Sequence, residues 1–182
     1  VLASGSTGNA MVVDTGEVRL LVDAGLSAKK MEELMRERDI SCTQLDGILV
    51  THEHADHIKG LGVLSRKYKL PIYANEKTWA ELRPKIGEID DANEMVIETG
   101  AVLDFGSLKV TSFEISHDAA DPVGYCFEQN DVKLSLLTDT GYVSPKIVEQ
   151  VAHSDAIILE CNHDIDMLRV GRYPWNVKRR IL

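Results

Sequence analysis

Short runs of alternating apolar and polar residues give way to helical spacing, and the switch repeats along the chain. Ala10 to Asp14 and Glu17 to Asp23 have β-type character and meet at Thr15-Gly16. Ser27 then predicts a helix cap, with a helix to about Arg38 that places Met31, Leu34 and Met35 on one face. Gly47-Ile48-Leu49-Val50 is a short, wholly apolar run and reads as a buried strand. Ile58 to Lys69 is helical in pattern, Pro71 to Ala74 is a short strand, and Asn75 caps a helix through about Ile86. Past residue 94 the period changes. Glu94 to Glu98, Ala101 to Phe105, Leu108 to Ile115, Gly124 to Gln129 and Val132 to Thr138 all read as strands, with a hairpin turn at Asn130-Asp131. Ser144-Pro145 starts a further helix, and Ala156 to Glu160 reads as a buried-type strand. Connections are short and no repeat of fixed period occurs, which predicts one α/β domain over residues 1–182, sheet inside and helices outside.

Bulk properties narrow the class. At 182 residues and 44% hydrophobic content the chain can bury a sizeable core. It has no apolar stretch near the ~18 residues of a membrane span and no charged-then-apolar leader, so no membrane association is expected. Cys42, Cys126 and Cys161 are far apart with no paired spacing, which fits a reducing, cytoplasmic setting. Net charge is −9, but residues 166–182 carry five cations against Asp166 alone, so the rest of the chain stands at −13. That body disfavours broad electrostatic binding to nucleic acid, while the basic end leaves room for a local phosphate-binding patch. Both ends read as cut: Val1 falls inside a strand-like run, and Leu182 follows Lys178-Arg179-Arg180 without a stop signal.

The chemistry is concentrated in Thr51-His52-Glu53-His54-Ala55-Asp56-His57, directly after the apolar strand. Residues two apart lie about 200° around a helix, so His52 and His54 could not share an ion from one. From a strand end or tight loop both can turn to the same ion, while Asp56 and His57, at the start of the next helix, can face a second. Two metals about 3.5–4 Å apart form a hydrolytic arrangement. His117 and Asp139 follow other strands, and Asp23 ends the strand Leu20 to Val22, where α/β folds commonly gather ligands at one sheet edge. Ser4-Gly5-Ser6-Thr7-Gly8-Asn9 is a small-residue loop able to approach an anion, which makes Ser6 and Asn9 candidate substrate contacts. His153 reads as a surface residue, and His163 follows a strand from which it could reach the site.

His52-x-His54-x-Asp56-His57, with Asp23 before it and His117 and Asp139 after it, resembles the metallo-β-lactamase superfamily over essentially the whole chain. Within it the chain looks most like the YycJ/WalJ group of bacterial cytoplasmic DNA exonucleases. That likeness is carried by Leu2 to Asn9, Thr138-Asp139-Thr140-Gly141, Glu160-Cys161-Asn162-His163-Asp164, Arg172-Tyr173-Pro174-Trp175 and Lys178-Arg179-Arg180. The resemblance implies a four-layer αββα sandwich with two divalent ions, Zn or Mn, at one edge of its sheets. It gives one ion to His52, His54 and His117, and the other to Asp56 and His57 with Asp139 bridging. It also implies a further histidine ligand downstream of the basic run; none lies there in this sequence, so the C-terminal part of the fold is expected to be missing.

The expected function is 5′-to-3′ exonuclease action on DNA, with a bridging hydroxide attacking phosphorus and the ions offsetting charge on the non-bridging oxygens. Asp56 and Asp139 would handle the water, His163 would assist the leaving group, and Asp23 would bond a ligand histidine and fix its tautomer. Arg172, Lys178, Arg179 and Arg180 are candidate DNA-backbone contacts. A hydrolase of RNA, a thioester or a lactam on the same scaffold is the nearest alternative. A redox di-iron relative resembles HxExDH, with a carboxylate where this chain has His54. A structural zinc site usually closes four ligands, often cysteine, around the ion.

Overall fold

The computed structural model describes residues 1–160, 169–171, 174, 175 and 178. Two five-stranded sheets form its centre. The first runs β1 (Met11–Asp14), β2 (Arg19–Val22), β3 (Gly47–Leu49), β4 (Ile72–Asn75) and β5 (Glu94–Ile97) in chain order across the sheet. β1 and β2 form an antiparallel hairpin, and the later strands add in parallel. The parallel crossovers carry helices: α1 (Ala28–Arg36), α2 (Ala55–Ile58), α3 (Leu61–Tyr68) and α4 (Glu76–Ile86). The second sheet is an antiparallel meander of β6 (Val102–Phe105), β7 (Leu108–Glu114), β8 (Val123–Gln129) and β9 (Val132–Leu137). After α5 (Pro145–Val151), β10 (Ala156–Leu159) returns parallel to β9.

Strand alternation builds the layers. Leu20, Val22 and Leu49 point one way and meet Val110, Tyr125, Phe127 and Leu136 of the second sheet. Leu21 and Ile48 point the other way, into a core shared with Met31, Met35, Leu61, Leu64, Trp79 and Leu82 of the helices. Phe113, Cys126 and Leu137 pack with Ile147 of α5 on the outer side of the second sheet. The result is helix, sheet, sheet, helix, as expected. Local rules are met where the sequence announced them. Ser27, Asn75 and Ser144 accept backbone N–H groups at the starts of α1, α4 and α5. Asn130 and Asp131 both have positive φ, 50° and 63°, as a tight hairpin requires.

Three expectations change. The helix read from Ile58 to Lys69 is two helices, because the chain turns at Gly60, whose N–H reaches the Ala24 carbonyl at 2.8 Å. Val1 is not in a strand; only an isolated bridge, Ala3 to Ala10, forms nearby. β10 is apolar but not buried: it has an edge position, Ile158 turns to the inter-sheet core, and Ile157 and Leu159 are 49% and 46% exposed. Among the described residues no helix is long and apolar enough to cross a membrane.

Candidate metal centre

Carboxyl ends of β2 and β3 put Asp23 and the segment 51–57 side by side. Asp23 takes a left-handed backbone, φ 58°, which is costly for a residue with a Cβ and recurs at functional positions. Its N–H bonds the Leu49 carbonyl at 2.9 Å, and the residue is 2% exposed. Asp23 Oδ1 accepts from Thr51 N–H at 2.8 Å, and Oδ2 accepts from Thr51 Oγ1 at 2.7 Å and lies 2.8 Å from His57 Nδ1. Thr51 Oγ1 in turn lies 3.0 Å from His52 Nδ1. Since the hydroxyl proton goes to Asp23, its oxygen accepts from His52. Both rings therefore carry a proton on Nδ1 and aim Nε2 the other way, as metal-ligating imidazoles do. Asp23 thus occupies the expected place behind the ligands.

His52 Nε2 and His117 Nε2 converge on His54 Nδ1, at 3.0 and 3.1 Å. Burial holds the His52 and His117 pKa values below the usual histidine range, and the neighbouring His57 adds to this at His52. Both rings are therefore neutral, with lone pairs free. Three imidazole nitrogens gathered at one point match the three-ligand pattern of catalytic zinc. Nitrogens held at about 2.0–2.1 Å from a tetrahedral ion stand about 3.4 Å apart, close to the spacing found.

A second group sits against the first. His57 Nε2 is 2.8 Å from Asp139 Oδ2, and His52 Nε2 is 3.8 Å from the same oxygen. This buried oxygen faces the two ring nitrogens, where a ligand would stand. Asp139 also has a left-handed backbone, φ 55°, and its N–H bonds Glu160 Oε2 at 2.6 Å. Burial opposes charge on His57, but Asp23 and Asp139 together outweigh it and raise the pKa to about 10. Burial likewise opposes charge on Asp139, and His57 nevertheless holds its carboxyl below the usual range. The position between Asp23 and Asp139 thus favours positive charge, which a proton or a divalent ion can supply. The donor set, nitrogen with carboxylate oxygen, fits Zn or Mn.

The second sheet contributes His117 and Asp139 through coupled loops. Gly141 N–H bonds the Ser116 carbonyl at 2.7 Å, and Ser116 bridges Tyr142. The segment 51–57 is tied across the sandwich as well: Val123 N–H bonds the Thr51 carbonyl at 3.0 Å, and the buried Tyr125 hydroxyl bonds Val50 O at 2.7 Å.

Of the residues expected at the site, His52, His54, His57, His117, Asp139 and Asp23 are brought together. Asp56 is at the margin, its Oδ2 3.7 Å from His57 Nε2 and 3.3 Å from Asn9 Nδ2. Among the described residues, the groups with ligand atoms within 4.8 Å of one another are His52–His54–His117 and His52–His57–Asp139, so His52 belongs to both and Asp56 to neither. Ser6 is exposed on its loop, whereas Asn9 is buried against the ligands. Lys178 does not offer a free cation: it is 9% exposed and its ammonium donates to the Arg169 carbonyl at 2.7 Å. His163, Arg172, Arg179 and Arg180 lie outside the described residues.

Three residues carry roles that the sequence did not announce. They are Thr51, Glu160 and Glu53, whose Oε1 accepts from Ala120 N–H at 2.9 Å in the loop after His117. Thr51 and Glu53 stand inside the histidine run, which is the only signal they give.

Comparison with known proteins agrees with this geometry. A Beta-lactamase superfamily domain matches residues 18–176. Exodeoxyribonuclease YycJ of Bacillus anthracis is 54% identical over 182 residues, covering 100% of this chain and 69% of that protein. Exodeoxyribonuclease WalJ of Streptococcus pneumoniae serotype 2 is 46% identical over 184 residues, covering 100% of this chain and 68% of that protein. Zn(2+)-bound PqqB from Methylobacterium extorquens superposes with a TM-score of 0.73 at 20% identity, covering 92% of this chain and 65% of that one, a likeness of fold. The histidine cluster, the two stacked sheets and the sequence match agree, and the chain belongs to the beta-lactamase superfamily.

Proposed function

We propose that the protein is a metal-dependent exodeoxyribonuclease that degrades DNA from the 5′ end, using two divalent ions, Zn or Mn, in the cytoplasm. The observation that carries this reading is the convergence of three imidazole nitrogens beside the buried Asp139 Oδ2, itself 2.8 Å from His57 Nε2. The names of the YycJ and WalJ relatives supply the substrate class. The buried, free thiols of Cys42 and Cys126 suit a reducing compartment.

His52, His54 and His117 would hold one ion, and His57, Asp139 and Asp56 the other. When bound, such ions lower the pKa of water towards neutrality and offset charge on a phosphodiester. The chain's own groups do the rest. Asp23 and Thr51 keep Nδ1 of His52 and His57 protonated, so that Nε2 stays available. Asp139 counters positive charge at His57, and Glu160 fixes its backbone. Asp56, a third exposed and within reach of Asn9 Nδ2, is proposed also to take a proton from water. Ser6, Arg172, Arg179 and Arg180 are proposed to contact the DNA backbone, and His163 to serve the leaving oxygen.

The test is digestion of end-labelled DNA by the unaltered protein and by His54→Ala and Asp139→Ala. Each substitution should cut metal-dependent release of nucleotides by at least ~10²-fold, with circular dichroism unchanged. Full activity in both variants refutes the assignment. Parallel assays on RNA, a thioester and a β-lactam decide the substrate class, and greater turnover of any of these than of DNA would replace the nuclease reading.

A further inference from the structure

We infer that Asn9 is a positioning residue: its side-chain amide holds Asp56 towards the metal pocket and so governs the hold on the second ion. This rests on the two-ion reading above and concerns how the chain builds the second of the two sites.

Asn9 is 7% exposed and locked on every side. Its backbone N–H donates to the Asp56 carbonyl at 2.7 Å, and its own carbonyl accepts from Gly25 N–H at 2.9 Å. No side chain fits at Gly25, where a Cβ would lie 1.7 Å from the Asp56 carbonyl oxygen and 2.5 Å from Asn9 N. The segments around residues 9, 25 and 56 therefore meet backbone to backbone, and Asn9 cannot drift relative to α2.

The direction of its amide is settled independently. Asn9 Oδ1 accepts from Gly5 N–H at 2.9 Å, and the opposite flip would set an NH2 group against that N–H. Nδ2 must then face the metal residues, where it donates to Asp56 Oδ2 at 3.3 Å and lies 3.0 Å from His57 Nε2. An ion or proton on His57 Nε2 removes that nitrogen as an acceptor, and the Asp56 carboxylate becomes the acceptor within reach. Asp56 needs such a partner. Its side chain is 33% exposed at the start of a four-residue helix. Ligating carboxylates are themselves held by hydrogen bonds, and loss of such a partner typically weakens metal affinity 10- to 100-fold.

Zinc titration of the intact protein against a chromophoric chelator tests this, with the 15N resonance of His57 Nε2 followed by NMR to assign the second site. In Asn9→Ala the second ion should bind about ten-fold or more weakly, the His57 resonance should shift only at correspondingly higher zinc, and the first ion should bind as before. In an Asp56→Ala background, Asn9→Ala should add less than about two-fold, because its route of action is gone. Unchanged affinity for the second ion overturns the inference. So does equal weakening at both sites, or a full additional loss in the Asp56→Ala background. If the unaltered protein takes up one ion only, the two-ion reading fails and this inference with it. If Asn9→Ala does not fold, exchange of the Asn9 side-chain amide protons is compared between the unaltered protein and Asp56→Ala. Protection should fall when Asp56 is removed, and unchanged protection overturns the inference.

Discussion

Asp23 uses both carboxylate oxygens on groups that orient the ligands: one meets the Thr51 N–H, the other the Thr51 hydroxyl and His57 Nδ1. Asp23→Asn would set an amide against at least one of these donors and push the His57 proton to the wrong nitrogen. Zinc affinity at His57 should fall about 10- to 100-fold while the fold survives, as read by chelator competition and circular dichroism. Proton competition gives a second residue-scale prediction. Below a pKa of about 10, His57 must shed a proton to take an ion, so the second site's affinity should rise by about one decade per pH unit from 6.5 towards 10. His52 and His117 have lowered pKa values, so the first site should vary little over the same range. Without metal the sign reverses. The raised His57 pKa contributes stability that is complete below about 6.5 and is lost as pH climbs through about 10. Calorimetry with and without zinc across this range checks both. The run from His52 to His57 was legible because its ligands are adjacent in sequence. Thr51, Glu53 and Glu160 were not, because each acts on a partner 21 to 67 residues away or on a neighbour whose orientation only the fold defines.

At the scale of elements, the loop carrying three ligands is short of local support. α2 has four residues, and its cap, His54, makes no capping hydrogen bond. Support comes from β8 of the opposite sheet, through Val123 N–H and the Tyr125 hydroxyl. Tyr125→Phe strands the Val50 carbonyl and should cost about 1–3 kcal/mol in chemical denaturation, without touching any ligand. Most element types were readable from periodicity and caps. The misses have physical causes. A Gly60 turn dictated by a contact with Ala24 leaves no local mark beyond the glycine. The apolar run of β10 cannot state whether both its faces are covered, and periodicity does not distinguish an edge strand from a central one.

Across the whole molecule, the ligands come from both halves of the sandwich. β2, β3 and the segment 51–57 belong to the first sheet, whereas His117 and Asp139 follow β7 and β9 of the second. Ions held there should bind the native state far better than the unfolded chain. Zinc at about a hundred times its Kd should stabilise the fold by about 2.7 kcal/mol, and a chelator should lower Tm accordingly in scanning calorimetry. An unaltered Tm would show that the two halves are not joined through the cluster. The sandwich itself was legible only through the resemblance carried by His52-x-His54-x-Asp56-His57; strand patterns alone indicated α/β and no more.

His52 is common to both ligand groups, and an imidazole nitrogen has a single lone pair to give. Once the first ion claims it, the second is left with His57, Asp139 and Asp56, a poorer cage, and two like charges side by side widen the gap. Uptake should therefore be anticooperative: at one equivalent of zinc the solution holds half-loaded molecules, not a mixture of empty and full ones.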